Sequence, residues 1–260
     1  MYVFDNAARE APSRLAALAA VFDPGTIRQL LARGVEEDWK CLEVGGGAGS
    51  MTRWLSDRVG PQGNVLTTDI DTRHLDLLRL SNVEVRRHDI VSEPLPEATF
   101  DLAYARMVLV HLPDPDVALM RMAASLKPGG WLVVEDIELP EGTFDDVAAE
   151  AEFRLKTAAA LRQVTAAAGV DGRLAATLAR RLRSQGLAHV GTEGRVLIWQ
   201  GGTDGAALMR LNFEQLREPI LATGYVTPEQ FEADLVALND ETLEVRFPTV
   251  WTAWGQRIAG

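Results

Sequence analysis

Glu43 stands two residues ahead of an unbroken run of glycines, Gly45, Gly46 and Gly47, with Gly49 just beyond, in the stretch CLEVGGGAGS. Glycines in such a turn let the backbone approach a ligand without Cβ contact and accept a positive φ. At a strand end, a G-x-G turn suits an adenosine-bearing ligand, a dinucleotide among others. A dinucleotide fingerprint calls for a third glycine three residues after the second, where a helix amino terminus faces a pyrophosphate. Ser50 occupies that position. The carboxylate of Glu43 opposes phosphates and suits a cationic amine or a sulfonium. A second acid, Asp69, ends the apolar run NVLTTD, where a carboxylate can take both hydroxyls of a ribose; Asp71 close behind reads more simply as a helix cap. A third, Asp89 in RRHDI, is placed to accept from an exocyclic adenine amine, with Ile90 against the ring.

These residues need a scaffold that brings strand ends side by side. KCLEV, NVLTTD, VEVRRHD, FDLAYAR and WLVVEDIEL read as strands. Between them GSMTRWLSDRVG, DTRHLDLLRL and DPDVALMRMAASLKPGG read as helices, the last two capped by Asp71 and Asp114 and the last stopped by Pro-Gly-Gly. Strand-helix alternation with short connections predicts a parallel sheet with helices on both faces. Two helical patterns precede the first strand. The second begins at FDPGTIRQLLARG, with Asp23 as cap, Pro24 in the first turn, Ile27, Leu30 and Leu31 on one face, and Gly34 closing it.

After residue 140 the rhythm changes. FDDVAAEAEFRLKTAAALRQVTAAAG reads as one long alanine-rich helix, and DGRLAATLARRLRSQG as another with Leu174, Leu178 and Leu182 in register. HVGTEGRVLIWQGG reads as a strand, TDGAALMRLNFEQLREPILATG and TPEQFEADLVALN as helices, and TVWTAWGQR as the last strand. Thr227, Pro228 and Gln230 fit a capped helix start. The expected organisation is a helical lid over 1–34 and a ligand-binding domain over 35–260, with helical insertions at about 141–170 and 203–240.

At 260 residues and 47% hydrophobic, the chain can bury a full core. A net charge of −11 argues against a nucleic-acid partner, and RRLR at 180–183 reads as a solvated helix face. No apolar stretch approaches the roughly 20 residues of a membrane span and no basic-headed leader opens the sequence, so a cytoplasmic protein is expected. Cys41, the single cysteine, reads as a small buried apolar residue. His74, His88 and His189 are scattered without ligand spacing, so no catalytic metal is expected.

Taken in order, Glu43 with GGGAG, Asp69 in VLTTDID, Asp89 in HDI, then FDLAYAR and LKPGGWLVVED, resemble the motif series of class I S-adenosylmethionine-dependent methyltransferases. The resemblance is close over residues 36–139 and loose at the two final strands. It implies a Rossmann-like, seven-stranded, mostly parallel sheet whose last strand, TVWTAWGQR, is antiparallel, with a helical cap over the active site. It implies that Gly45 and Gly47 pack against the amino-acid end of S-adenosylmethionine, that Glu43 helps hold its ammonium, that Asp69 binds the ribose and Asp89 the adenine. Ala105 and Arg106 would border the methionine moiety and the transferring methyl. Gly46, Ile70 and Ile90 complete the expected cofactor set.

The implied activity is methyl transfer to a small apolar or aromatic metabolite, of the kind met in secondary metabolism, leaving S-adenosylhomocysteine; oxygen, nitrogen and carbon acceptors are all open. Other readings are a protein of this fold that binds the cofactor but cyclises or decarboxylates its substrate, a cofactor-sensing partner protein, and an NAD(P)-dependent oxidoreductase, which Glu43 and Ser50 disfavour. Transfer from a sulfonium is an in-line displacement with a neutral leaving group, so alignment does much of the work. A base is needed only where the acceptor must lose a proton. His111 in MVLVHLPD is the catalytic candidate, with packing beside the cofactor as the competing role. Glu135 and Asp136 end strand five, where one could face the acceptor. Tyr2, Phe4, Phe144, Phe153, Met209 and Phe213 are candidates for an apolar acceptor pocket, against an ordinary core role. The oligomeric state is open, a homodimer included.

Overall fold

A computed structural model describes residues 4–139 and 156–258. Its centre is a seven-stranded sheet built from β1 (Lys40–Val44), β2 (Asn64–Asp69), β3 (Val83–Arg87), β4 (Phe100–Arg106), β5 (Leu126–Glu138), β6 (Ala188–Arg195) and, after two shorter pieces, β9 (Thr249–Gln256). The order across the sheet is β3-β2-β1-β4-β5-β9-β6. Strands β1 to β5 pair in parallel, and β9 runs antiparallel to both β5 and β6. The expected Rossmann-like sheet with an antiparallel last strand is what forms. Strand order reverses between β1 and β4, where an open α/β sheet leaves a crevice at the carboxyl ends of its strands.

Side chains alternate faces along each strand, and each face has its own cover. Cys41, Leu102, Tyr104 and Val133 meet Leu30 of α1 (Ala11–Ala32) and Met51, Leu55 and Val59 of α2 (Ser50–Val59). Leu42, Ala103, Ala105 and Val134 meet Leu119 and Met122 of α3 (Pro115–Ser125) and Leu174, Leu178 and Leu182 of α5 (Leu174–Ser184). A second core joins α4 (Lys156–Ala167), α6 (Asp204–Gln215), α7 (Arg217–Ala222) and α8 (Pro228–Ala237) through Phe213, Ile220, Phe231 and Leu235. Asp114 and Thr227 cap α3 and α8 as expected, accepting from Val117 N and Gln230 N.

Four expectations are corrected. The opening helical patterns merge into the single helix α1, with Pro24 inside it and Asp23 not a cap. The proline removes one backbone donor, but burial of Phe22 and Leu30 and the bonds that Asp23 and Thr26 make to the sheet end hold the helix through it. DTRHLDLLRL gives only a short 3-10 turn at Leu75–Leu77, because Leu75 and Leu78 must tuck under the glycine turn. Asp71 pairs with Arg73 there. Pro-Gly-Gly does not stop α3, which ends at Ser125; LKPGG opens β5, with Leu126 paired to Phe100. HVGTEGRVLIWQGG divides: β6 stays in the main sheet, while β7 (Ile198–Gln200) pairs with β8 (Glu244–Arg246) in a separate two-stranded sheet.

Candidate functional site

Register brings the candidate residues level: Val44 pairs with Thr68 on one side and Ala105 on the other, so the glycine turn, Asp69 and Arg106 emerge together. Gly45 N and Gly46 N donate to Thr68 O at 2.7 and 3.1 Å. A Cβ at Gly45 would fall 2.2 Å from Val108 Cγ2, and one at Gly46 would fall 2.3 Å from Thr67 Oγ1, so these two glycines are required by packing. Gly47 differs. Its φ is +56°, and a Cβ there would meet nothing nearer than Leu15 Cδ2 at 3.8 Å. It faces a cavity of about 810 Å³.

The cavity floor is formed by the turn and the strand ends, including Glu43, Asp69, Asp89 and Arg106, and its roof by Phe4, Asn6, Leu15 and Leu18. Glu43 is 2% exposed. Its Oε2 accepts from Thr52 Oγ1, and from Thr67 Oγ1 at 3.1 Å. Burial pushes its carboxyl up to about 7, against the two hydroxyls and the positive Arg106, which favour the charged form. A buried acid of this kind gains from a cationic neighbour. Asp69 accepts from Gly47 N at Oδ2 and from Asp71 N at Oδ1, each at 3.0 Å, which ties the end of β2 to the turn. Burial raises its pKa, and the backbone donors oppose the rise. Asp89 accepts from Ser92 Oγ at 2.7 Å and Val91 N at 2.9 Å, and the Ser92 bond holds it below the usual range. Ile70 lies on the cavity wall at 57% exposure, while Ile90 also reaches the wall but is otherwise buried.

The expected pair at the end of β4 separates. Ala105 points to the opposite face and packs in the main core, so its side chain is not at the site. Arg106 is there, and its Nη2 donates to Asp23 Oδ1 at 2.7 Å and its Nη1 to Thr26 Oγ1 at 3.0 Å. Met107, which the sequence did not single out, lines the cavity with φ +55°, a conformation costing a non-glycine residue about 1–3 kcal/mol. Leu15 and Leu18 were also missed. Their spacing of three on an amphipathic helix was the available signal.

His111 sits on a 3-10 turn, Leu109–His111, and lines the cavity. Burial pushes its imidazole down to about 4, so it is neutral at pH 7. Glu135 and Asp136 are not among the described residues that line this cavity. Glu135 accepts from Thr252 Oγ1 and Arg195 Nη2, both at 2.6 Å, and from Thr26 Oγ1 at 2.9 Å. Asp136 accepts from Val110 N at 3.1 Å, and burial pushes it up to about 7. Both are drawn inward by donors that strand five meets on neighbouring elements. Of the expected apolar pocket residues, Phe4 lines the cavity, whereas Met209 and Phe213 belong to the second core. Tyr2, Phe144 and Phe153 lie outside the described residues.

A family model described as a methyltransferase domain matches residues 6–189. The ubiquinone/menaquinone biosynthesis C-methyltransferase UbiE of Saccharophagus degradans is 33% identical over 116 residues, which is 42% of this chain and 47% of that protein. The match thus spans about half the length of the curated relative. Among solved structures, the YcgJ protein of Bacillus subtilis aligns with a TM-score of 0.58 at 16% identity, covering 89% of this chain and 98% of that one. The [4+2]-cyclase SpnF aligns with a TM-score of 0.53 at 20% identity, covering 90% of this chain and 81% of that one. At these identities the two structures share the fold.

Proposed function

Because the chain belongs to the class I S-adenosylmethionine-dependent methyltransferase family, we propose that it transfers a methyl group to a small apolar or aromatic acceptor bound between the sheet ends and α1. The observation that carries this is the pairing of a buried, cavity-facing Glu43 with the open space at Gly47. Together they fit a ligand whose cationic end lies flush against the backbone, and they do not fit a pyrophosphate. Glu43 would hold the ammonium of the cofactor, Gly45 and Gly47 would border its amino-acid end, and Asp69 would accept from the ribose. Asp89, with Ile70 and Ile90, would receive the adenine. When bound, S-adenosylmethionine supplies an electrophilic methyl on a sulfonium.

The chain's own contribution is alignment and exclusion of water. Leu15 and Leu18 of α1 cover the cavity, and Phe4, Met107, Val108 and Leu112 give it apolar walls. Such a chamber suits a neutral, largely apolar acceptor. His111 is neutral and weakly basic there, which supports a packing role beside the reactants over general-base catalysis. Among the described residues no helix is long and apolar enough to cross a membrane.

The fold also serves a cyclase, so the mass of the product is the deciding measurement. Native mass spectrometry of the purified protein should show S-adenosylmethionine or S-adenosylhomocysteine bound. Incubation with the methyl donor and a panel of small phenols and hydroquinones should then give products heavier by one methylene unit. Binding of NADH without either adenosyl compound would overturn the reading; adenosyl binding with an isomerised, unmethylated product would favour the cyclase type.

A further inference from the structure

Asp23 lies on α1, outside the expected cofactor set, and reaches the site through Arg106. Its Oδ1 accepts from Arg106 Nη2 at 2.7 Å, and from Ser50 Oγ, at the start of α2, at 3.3 Å. The Arg106 side chain is 8% exposed, and what remains exposed faces the cavity. By register it follows Ala105, the partner of Val44, so it comes level with Gly45 at the same end of the cavity as Glu43. That places a permanent cation where the proposed donor is itself cationic. An uncompensated guanidinium there would repel a sulfonium and an ammonium alike.

We propose that Asp23 is a positioning residue that sets the charge of the cofactor cavity, cancelling Arg106 from the roof helix so that a positively charged donor is accepted. The inference rests on the methyltransferase reading. It assigns α1 an electrostatic part as well as a covering one: the helix carries the carboxylate that makes the sheet end fit for a cation. Arg106 also donates to Thr26 Oγ1 at 3.0 Å, so two successive turns of α1 hold the guanidinium in place.

The test compares S-adenosylmethionine with S-adenosylhomocysteine, which differ by one positive charge at sulfur. In Asp23→Asn, affinity for the sulfonium should fall at least tenfold further than affinity for the thioether, the scale expected for one extra like charge even at about 12 Å and an effective dielectric of about 20. Arg106→Gln alone should shift the same ratio the other way, because it leaves Asp23 uncompensated. Asp23→Asn combined with Arg106→Gln should return the ratio to that of the wild type. Calorimetry reads both ligands, and melting temperature reports folding separately. Equal weakening of both ligands in Asp23→Asn, or no change in either, overturns the proposal; so does a matching shift in the two single variants. If Asp23→Asn fails to fold, the direction of the shift in Arg106→Gln decides. Failure of the wild type to bind either compound would instead sink the methyltransferase reading.

Discussion

Gly47→Val separates what the glycine turn does for the backbone from what it does for the ligand. Gly47 has φ +56°, and only Leu15 Cδ2, at 3.8 Å, comes near the position of a Cβ. Gly34, at the end of α1, has φ +81° and no atom within 4 Å of that position, and it does not line the cavity. The two valine variants therefore share a left-handed backbone cost of about 1–2 kcal/mol. For a chain of this size that is a fall of about 2–8 °C in melting temperature. Only at Gly47 do the added methyls enter the space proposed for the cofactor. The turn is fixed on its far side by the bond from Gly47 N to Asp69 and by the packing of Gly45 and Gly46, so it has little room to yield. Overpacking at the upper end of the usual ~1–3 kcal/mol range corresponds to a loss of about 100-fold in affinity. Calorimetry with S-adenosylhomocysteine should show that loss in Gly47→Val and wild-type binding in Gly34→Val. Wild-type affinity in Gly47→Val, or equal losses in both, would refute the reasoning.

Asp69→Ala should weaken S-adenosylhomocysteine binding by at least tenfold, since a hydrogen bond to a charged acceptor contributes about 1.5–3 kcal/mol; unchanged affinity by calorimetry would mean the carboxylate serves only the turn. His111→Ala should lower melting temperature and cofactor affinity together, and the wild-type turnover profile should show no inflection near pH 6.5. Turnover reduced about 100-fold with affinity intact would instead identify a general base. Asp136 is raised from 3.8 to about 7 by burial, so between those values the folded protein keeps a proton that the unfolded chain releases. Its contribution to stability therefore falls as pH rises through that window. The melting temperature of Asp136→Asn relative to wild type should climb from pH 5 to pH 8, and a constant difference would count against the assignment.

The parts of the site that could be read from sequence are those fixed by one residue's chemistry next to one backbone turn. Glu43, Gly45, Gly47, Asp69 and Asp89 all reach one cavity because each lies at or just after a strand end, and strand ends align in a parallel sheet. What failed depended on partners distant in sequence. Glu135 and Asp136 sit at an exposed-looking strand end, yet Thr252, Arg195 and the turn at Val110 take their oxygens inward. Ala105 was lost to simple strand parity, its neighbour Arg106 taking the cavity side. Pro24 is a strong local stop that the contacts of Asp23 and Thr26 override. Met209 and Phe213 show helical apolar spacing that identifies a buried face but not which core receives it. Met107 has no local signal, because its positive φ arises where β4 leaves the sheet under the bond from its N–H to Glu135 O.

The position of β9 bears on the order in which the protein becomes competent during synthesis. Among the described residues, those lining the cavity all lie at or before Pro113. Yet the helix that roofs it is fastened from much later segments: Arg28 to Glu193, and Thr26 to a Glu135 clasped by Arg195 and Thr252. Strand β6, which carries Glu193 and Arg195, has β9 as its sheet neighbour among the described residues. A nascent chain thus displays the described cavity-lining groups before it has the strand that completes the fastening of the roof over them. At about 5–20 residues per second, the gap between Pro113 and Gln256 lasts on the order of ten to thirty seconds on the ribosome. During that interval the roof helix is held through Asp23 to Arg106 and Ser50, and its remaining fastenings arrive only as β6 and then β9 join the sheet edge.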